Sequence, residues 1–319
     1  MILRILCLSF FVNVAMAQGP TFKHLATFDV SMNTPDGDEV CMMVFDNKIF
    51  IQDDTDDEVD VYNANFPYDY IESFGSGIIF DSEDGIQEYN GFIYVTDNST
   101  PGDDSIRVFN NTSPYNLDTT FSHPAIGDIE GFKISCNKIF VADGIFGDMI
   151  VFEATRPYNF ITSFGAADLI SPDAPTSDGS RIFVGDDDHI DIFDCNTYAH
   201  LGSVTKGPGA EYDEGLAYHQ HCRALLALDN DVDEIDVFSL DSPPVYQKSF
   251  GAGLFADTEC IAVSGDRIFV YDDSDDEISI FQCTPQAVPT IGEWGLILLG
   301  LILLIFGSVA MKAHRLSRV

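Results

Sequence analysis

One short phrase recurs six times along this chain, and its spacing restricts the fold more than any other feature. An apolar run closed by aspartate ends at Asp53, Asp97, Asp143, Asp186, Asp229 and Asp272, with intervals of 44, 46, 43, 43 and 43 residues. A second β-branched and aromatic run follows each, at residues 59–62, 106–109, 149–152, 190–193, 235–238 and 278–281. Pro-Tyr turns and Ser-Phe-Gly pieces come next, and each new unit opens on an acid and often a glycine, as in Glu130-Gly131-Phe132 and Glu214-Gly215-Leu216. Four short strands per repeat, broken by Gly, Pro, Asn and Asp, are the content of one propeller blade, and apolar spacing of the helical kind is absent. The expected fold is therefore all-β, a six-bladed β-propeller of four-stranded blades. The outer Phe-Gly-type strand recurs only at Phe74, Phe121, Phe164, Val204 and Phe250, while residues 25–28 lie 46 residues before the piece at Phe74. An N-terminal strand completing the sixth blade would close the ring and leave no long edge exposed.

The apolar-Asp, Ile-x-Val-Phe and Phe-Gly pieces, with Gly131-Phe132 and Gly215-Leu216-Ala217, resemble NHL-type six-bladed propellers over most of residues 18–285. Asp173-Ala174-Pro175-Thr176 departs from that pattern by lacking its leading Pro and Gly.

The two ends carry an address and an anchor. Arg4, an apolar stretch over residues 5–12 and Ala15-Met16-Ala17 predict a signal peptide over residues 1–17, cut before Gln18. Residues 294–311 contain no charge, and as a helix these 18 residues would span ~27 Å, close to a bilayer core. Lys312, His314, Arg315 and Arg318 follow, so the expected single-pass helix has the tail 312–319 in the cytoplasm and everything ahead of it exported. Between propeller and helix lies a linker, 286–295. Its Pro289, Thr290, Trp294 and Gly295 resemble the I-P-T-L-x-x-W-G pattern of the IPTL-CTERM sorting signal of Gram-negative bacteria. That resemblance implies recognition by a membrane-embedded, exosortase-like processing enzyme, with retention in the bacterial envelope or release to the cell surface.

Charge bears on partners. The chain holds 52 Asp+Glu against 15 Lys+Arg, and residues 18–285 alone carry a net charge of -40. A nucleic acid would be repelled over most of such a surface, whereas cations, cationic surfaces or a calcium-bridged extracellular polysaccharide would be drawn to it. In a blade, the start of the first strand and the end of the second reach the same rim. The starts contribute Glu39, Asp84, Glu130, Asp173, Glu214 and Glu259, and the ends contribute the six repeat aspartates. Carboxylates at this density raise one another's pKa or hold a cation, and oxygen ligands favour Ca²⁺. An aspartate closing a strand can instead accept backbone N–H groups of its own turn. No loop has EF-hand spacing, and no Gly-x-Ser-x-Gly, His-Glu-x-x-His or phosphate loop occurs.

Six cysteines remain after Gln18, an even number suited to disulfides in an exported domain. Cys41 and Cys260 hold similar places on the first and last blades, neighbours in a closed ring, and are the expected pair. The functional expectation is a surface-anchored acidic binding or matrix protein, with Ca²⁺ as its candidate cofactor. The alternative is a calcium-dependent lactonase- or esterase-like hydrolase, for which the inner strands offer few partners; His219 and His221 fall at the end away from the acidic rim.

Overall fold

A computed structural model describes residues 19–31, 41–53, 56–79, 85–98 and 104–285. They form six four-stranded antiparallel sheets, and Pro20–Pro285 is one compact unit. Blades 1 to 5 begin at the strands Met42–Phe45, Ile86–Tyr89, Ile129–Ser135, Pro172–Ser177 and Leu216–His219. Blade 6 is composite. Its strands Thr258–Ser264, Arg267–Asp272 and Glu277–Thr284 are completed by the N-terminal strand Thr21–Asp29, paired from Thr21 opposite Thr284 to Asp29 opposite Glu277. The chain is a six-bladed β-propeller that its own first strand closes, as the tally of outer strands requires.

Each second strand is buried on both sides; in Lys48–Asp53 every residue after Lys48 is inside. That explains why the strands alternate so weakly in the sequence: a blade sandwiched between neighbours has no solvent face. The core accordingly consists of six clusters, one per blade boundary. Ile49, Ile51 and Tyr62 of blade 1 meet Phe269, Tyr271 and Ile280 of blade 6, and the other five boundaries are filled in the same way. Outer-strand phenylalanines stack on the turn tyrosine of the next blade: Phe28 on Tyr68, Phe74 on Tyr115, Phe121 on Tyr158 and Phe164 on Tyr198. Where Val204 replaces the phenylalanine, the turn of blade 5 has Pro244 in place of the tyrosine.

The antiparallel order creates two unlike faces. Loops between second and third strands, and between blades, emerge on one, here the loop face. Tight turns emerge on the other, the turn face; Asp46-Asn47, Asn90-Gly91 and Cys136-Asn137 adopt paired positive φ there, as two-residue hairpins of right-handed twist require. The expected signal peptide, sorting motif, membrane helix and basic tail lie outside the described residues.

Candidate functional site

The central channel opens on the loop face into a cavity of about 300 Å³. Glu130, Asp173, Glu214 and Glu259 line it together, each from the start of a first strand or the residue pair before one. Glu39 and Asp84, expected to complete the ring, lie outside the described residues. Asp213 joins the acids, and Lys133 is the cation in the lining. Glu130 rests against Gly144, where a Cβ would come within 2.1 Å of its Oε1, so blade 3 needs glycine to admit this side chain.

Protonation reflects the crowding. Burial pushes the Asp173 carboxyl well above the usual carboxylate range, and the charges of Glu130 and Glu214 add to it; the Ala174 amide, which donates to Asp173, pulls the other way. Glu214 is pushed up to about 9 by burial, then by the charge of Glu259 and a hydrogen bond shared with it. Two carboxyls joined by one hydrogen bond hold a proton between them, so the pair titrates as a unit. Asp213 is also raised, by burial and then by Asp187. Burial lowers Lys133, with partial compensation from Cys41. A buried acidic site that holds protons near neutral pH would exchange them for a cation.

The repeat aspartates do not join this cavity. Asp53, Asp97, Asp143, Asp186 and Asp229 are 0% exposed and Asp272 3%. Several take backbone N–H groups of the loops above them: Gly127 and Phe146 donate to Asp143, Ile170 and Ser171 to Asp186, and Ala256 and Asp257 to Asp272. Rim and strand ends share a face, yet they are separate structures, because a strand-end carboxylate turns under its loop rather than toward the axis. A second layer of buried acids went unread in the sequence: Asp60, Asp191 and Asp236, two residues into the third strands of their blades. The signal was available, since acid at that place interrupts otherwise apolar runs.

Cys41 and Cys260 meet at the mouth with Sγ atoms 3.5 Å apart, a hydrogen-bonding separation, and both are free thiols. The Cys260 hydrogen bond draws the Cys41 thiol down and holds the Cys260 thiol well up. The bonded pairs are Cys136–Cys195 and Cys222–Cys283. Each joins a first-to-second-strand turn to the third-strand end, or the turn after it, of the following blade, a diagonal contact that matching positions on neighbouring blades cannot reveal. His219 is fully buried beside the second bridge, where its Nδ1 accepts from the Cys222 amide at 3.2 Å. Burial, then His221, lowers its pKa.

The loop face also exposes apolar side chains amid its acids. Ile145, Phe146 and Ile170 are 56%, 59% and 72% exposed, and the first two flank Gly127.

The IPTL-CTERM motif matches residues 286–315, so the chain is a β-propeller bearing that sorting signal. No curated protein matches the chain. Among solved structures, a chain in the crystal structure of a mitotic checkpoint complex is similar at 11% identity and TM-score 0.57, over 88% of this chain and 99% of its own. A functionally unknown protein from Desulfotomaculum acetoxidans is similar at 15% identity and TM-score 0.59, over 81% of this chain and 86% of its own. Identities this low speak for the fold alone.

Proposed function

We propose that this chain is an exported propeller displayed at the bacterial cell surface, which binds Ca²⁺ at its channel mouth and presents an acidic loop face to a cationic or calcium-bridged extracellular ligand. The observation that carries the reading is the convergence of Glu130, Asp173, Asp213, Glu214 and Glu259 on one cavity, with Lys133 as the cation among them. A cluster of carboxylate oxygens, some held protonated by burial, suits a hard divalent ion. Ile145, Phe146 and Ile170 give the same face an apolar contact surface beside its charge, the pairing expected of a recognition rim. The sorting signal supports handling by a membrane-embedded processing enzyme that reads Pro289, Thr290, Trp294 and Gly295.

The test is thermal unfolding of the chelator-treated chain with and without CaCl₂. At an ion concentration ~100 times Kd, binding stabilises by about 2.7 kcal/mol, an increase of about 5 °C or more in a domain of this size. Glu214→Gln combined with Asp173→Asn is expected to abolish the increment. A melting temperature indifferent to Ca²⁺ in the unmodified chain sinks the cation reading.

A further inference from the structure

Blade 4 gathers metal-ligating side chains away from the channel mouth, and blade 5 shows what their arrangement requires. There the buried carboxylates of Asp229 and Asp236 are bridged by Lys206, whose ammonium contacts Asp229 and lies 3.7 Å from Asp236 Oδ2. Blade 2 meets the same need with Arg107, paired to Asp97. Blade 4 repeats the frame of blade 5. Asp186 and Asp191 hold the matching places, and Ser203 donates to Asp191 Oδ1 at 2.6 Å as Ser249 does to Asp236 Oδ1. In the bridging place, however, stands an imidazole. His189 Nε2 lies 3.1 Å from Asp191 Oδ2 and 3.6 Å from Asp186 Oδ2.

An ammonium can only donate, whereas an imidazole nitrogen can also ligate a metal. Asp188 Oδ1 lies 2.9 Å from His189 Nδ1, and a carboxylate there keeps a proton on Nδ1, so Nε2 is the nitrogen presented to the two buried acids. Asp191 is 1% exposed, and its Oδ2 receives no aligned hydrogen bond among the described residues even though Nε2 is close by. A simple imidazolium ion pair would supply that bond. The spacing fits another occupant: ligands about 2.1 Å from a tetrahedral ion stand roughly 3.4 Å apart, and the two measured separations fall on either side of that value. The three candidate ligand atoms lie within 4.8 Å of one another.

The atoms that would not face the ion are already engaged. The Ser171 amide donates to Asp186 Oδ1 at 2.6 Å, the Ile170 amide is shared between Oδ1 at 2.9 Å and Oδ2 at 3.1 Å, and His200 Nε2 sits 2.7 Å from Asp191 Oδ1. Outer partners of this kind orient metal ligands and fix the tautomer. The His189 side chain is 24% exposed, which leaves an entry path and an open coordination position. We propose that Asp186, His189 and Asp191 form a binding site for a divalent transition-metal ion of the zinc class, with solvent in its remaining position. One nitrogen and two oxygens select such an ion over Ca²⁺, which takes six to eight oxygens.

The experiment is calorimetric titration of Zn²⁺ into the chelator-stripped full chain, with excess Ca²⁺ present to occupy oxygen-only sites. His189→Gln and Asp191→Asn are expected to weaken the tightest Zn²⁺ site by about 100-fold. His189→Lys offers the same two acids an ammonium, as Lys206 does in blade 5 from the loop before it, so it should keep the melting temperature and still lose the ion. On the unmodified chain, Zn²⁺ should protect His189 from diethylpyrocarbonate, read by peptide mass, and Ca²⁺ should not. Zn²⁺ binding unchanged in a folded His189→Lys chain, or absence of Zn²⁺ protection at His189, overturns the assignment and leaves His189 as a proton-carrying counterpart of Lys206.

Discussion

The two faces of the ring hold their blades together by different means. On the turn face, blade 3 is bonded to blade 4 through Cys136–Cys195 and blade 5 to blade 6 through Cys222–Cys283. Cations at the starts of second strands reach the next blade there: Lys48 donates to the Tyr115 hydroxyl, Lys138 to the Cys195 carbonyl, Arg181 to the Leu240 carbonyl and Arg267 to the Ala64 carbonyl. On the loop face no disulfide occurs among the described residues, and the loops are tied down by amides donating to buried aspartates. Like charge is concentrated on the face opposite these disulfides. The difference teaches where a propeller can carry crowded acids: the covalent links between blades lie at the opposite end, so carboxylates can accumulate at the mouth while the ring stays closed.

The largest expected effect tests the covalent half of that contrast. Cys136→Ser with Cys195→Ser opens a loop of 59 residues, and chain entropy alone assigns such a closure about 4 kcal/mol. A denaturant titration should show the midpoint falling and the slope rising, because the unfolded chain freed of the cross-link expands. A loss under about 1 kcal/mol would mean that the bridges are incidental and that both faces rest on the apolar boundaries alone.

The next effect belongs to the mouth and has a definite sign. The Glu214 carboxyl moves from an ordinary 4.5 to about 9 in the folded chain. A carboxyl raised in this way holds more protons folded than unfolded, so stability declines as pH climbs from about 4.5 toward about 9 and is flat above. Because Glu214 and Glu259 share the proton, roughly 2 kcal/mol between pH 5 and pH 8 is expected rather than the full ~1.4 kcal/mol per unit of a lone group. Melting curves in chelator should show this decline, and Glu214→Gln should flatten it. An unchanged slope in the variant would move the burden from the mouth to the rest of the acidic face.

A smaller loss tests the aspartate ties. Asp272→Ala strips the acceptor from the Ala256 and Asp257 amides, and leaving buried donors unmet costs about 1–3 kcal/mol. Accelerated hydrogen exchange confined to that loop would accompany it; exchange spread over all six blades would instead make the aspartate part of the core.

How much of this was legible in the sequence depends on whether a residue answers to its own blade or to the next. Strand count, closure and the mouth acids Glu130, Asp173, Glu214 and Glu259 were legible, because each is set by its place in the repeat. The closing strand is longer than the repeat alone indicates, running Thr21–Asp29 rather than 25–28, since it must pair with a lengthened third strand, Glu277–Thr284. Cys136–Cys195, Cys222–Cys283 and the Lys206 bridge between Asp229 and Asp236 were not legible. They cross a boundary on the diagonal, joining places that are unlike within the repeat. Asp191 and His189 escaped notice for a related reason: a histidine at the start of a third strand looks like a solvated loop end until the buried carboxylate of Asp186 is placed opposite it.

The smallest effect separates the faces by salt. Lys138 donates to a carbonyl, a short contact with a dipole, and Lys138→Met should cost about 1 kcal/mol by much the same amount in dilute buffer and in 1 M NaCl, where the Debye length is only about 3 Å. Repulsion among loop-face carboxylates is longer in range and is screened by the same salt. Asp187→Asn and Asp231→Asn, both of which relieve Glu211, should therefore stabilise by a few tenths of a kcal/mol in dilute buffer and by nothing measurable at high salt. If instead the Lys138 variant becomes salt-sensitive, its role is long-range compensation of the whole acidic face, and the division of labour between the two ends of the blades fails.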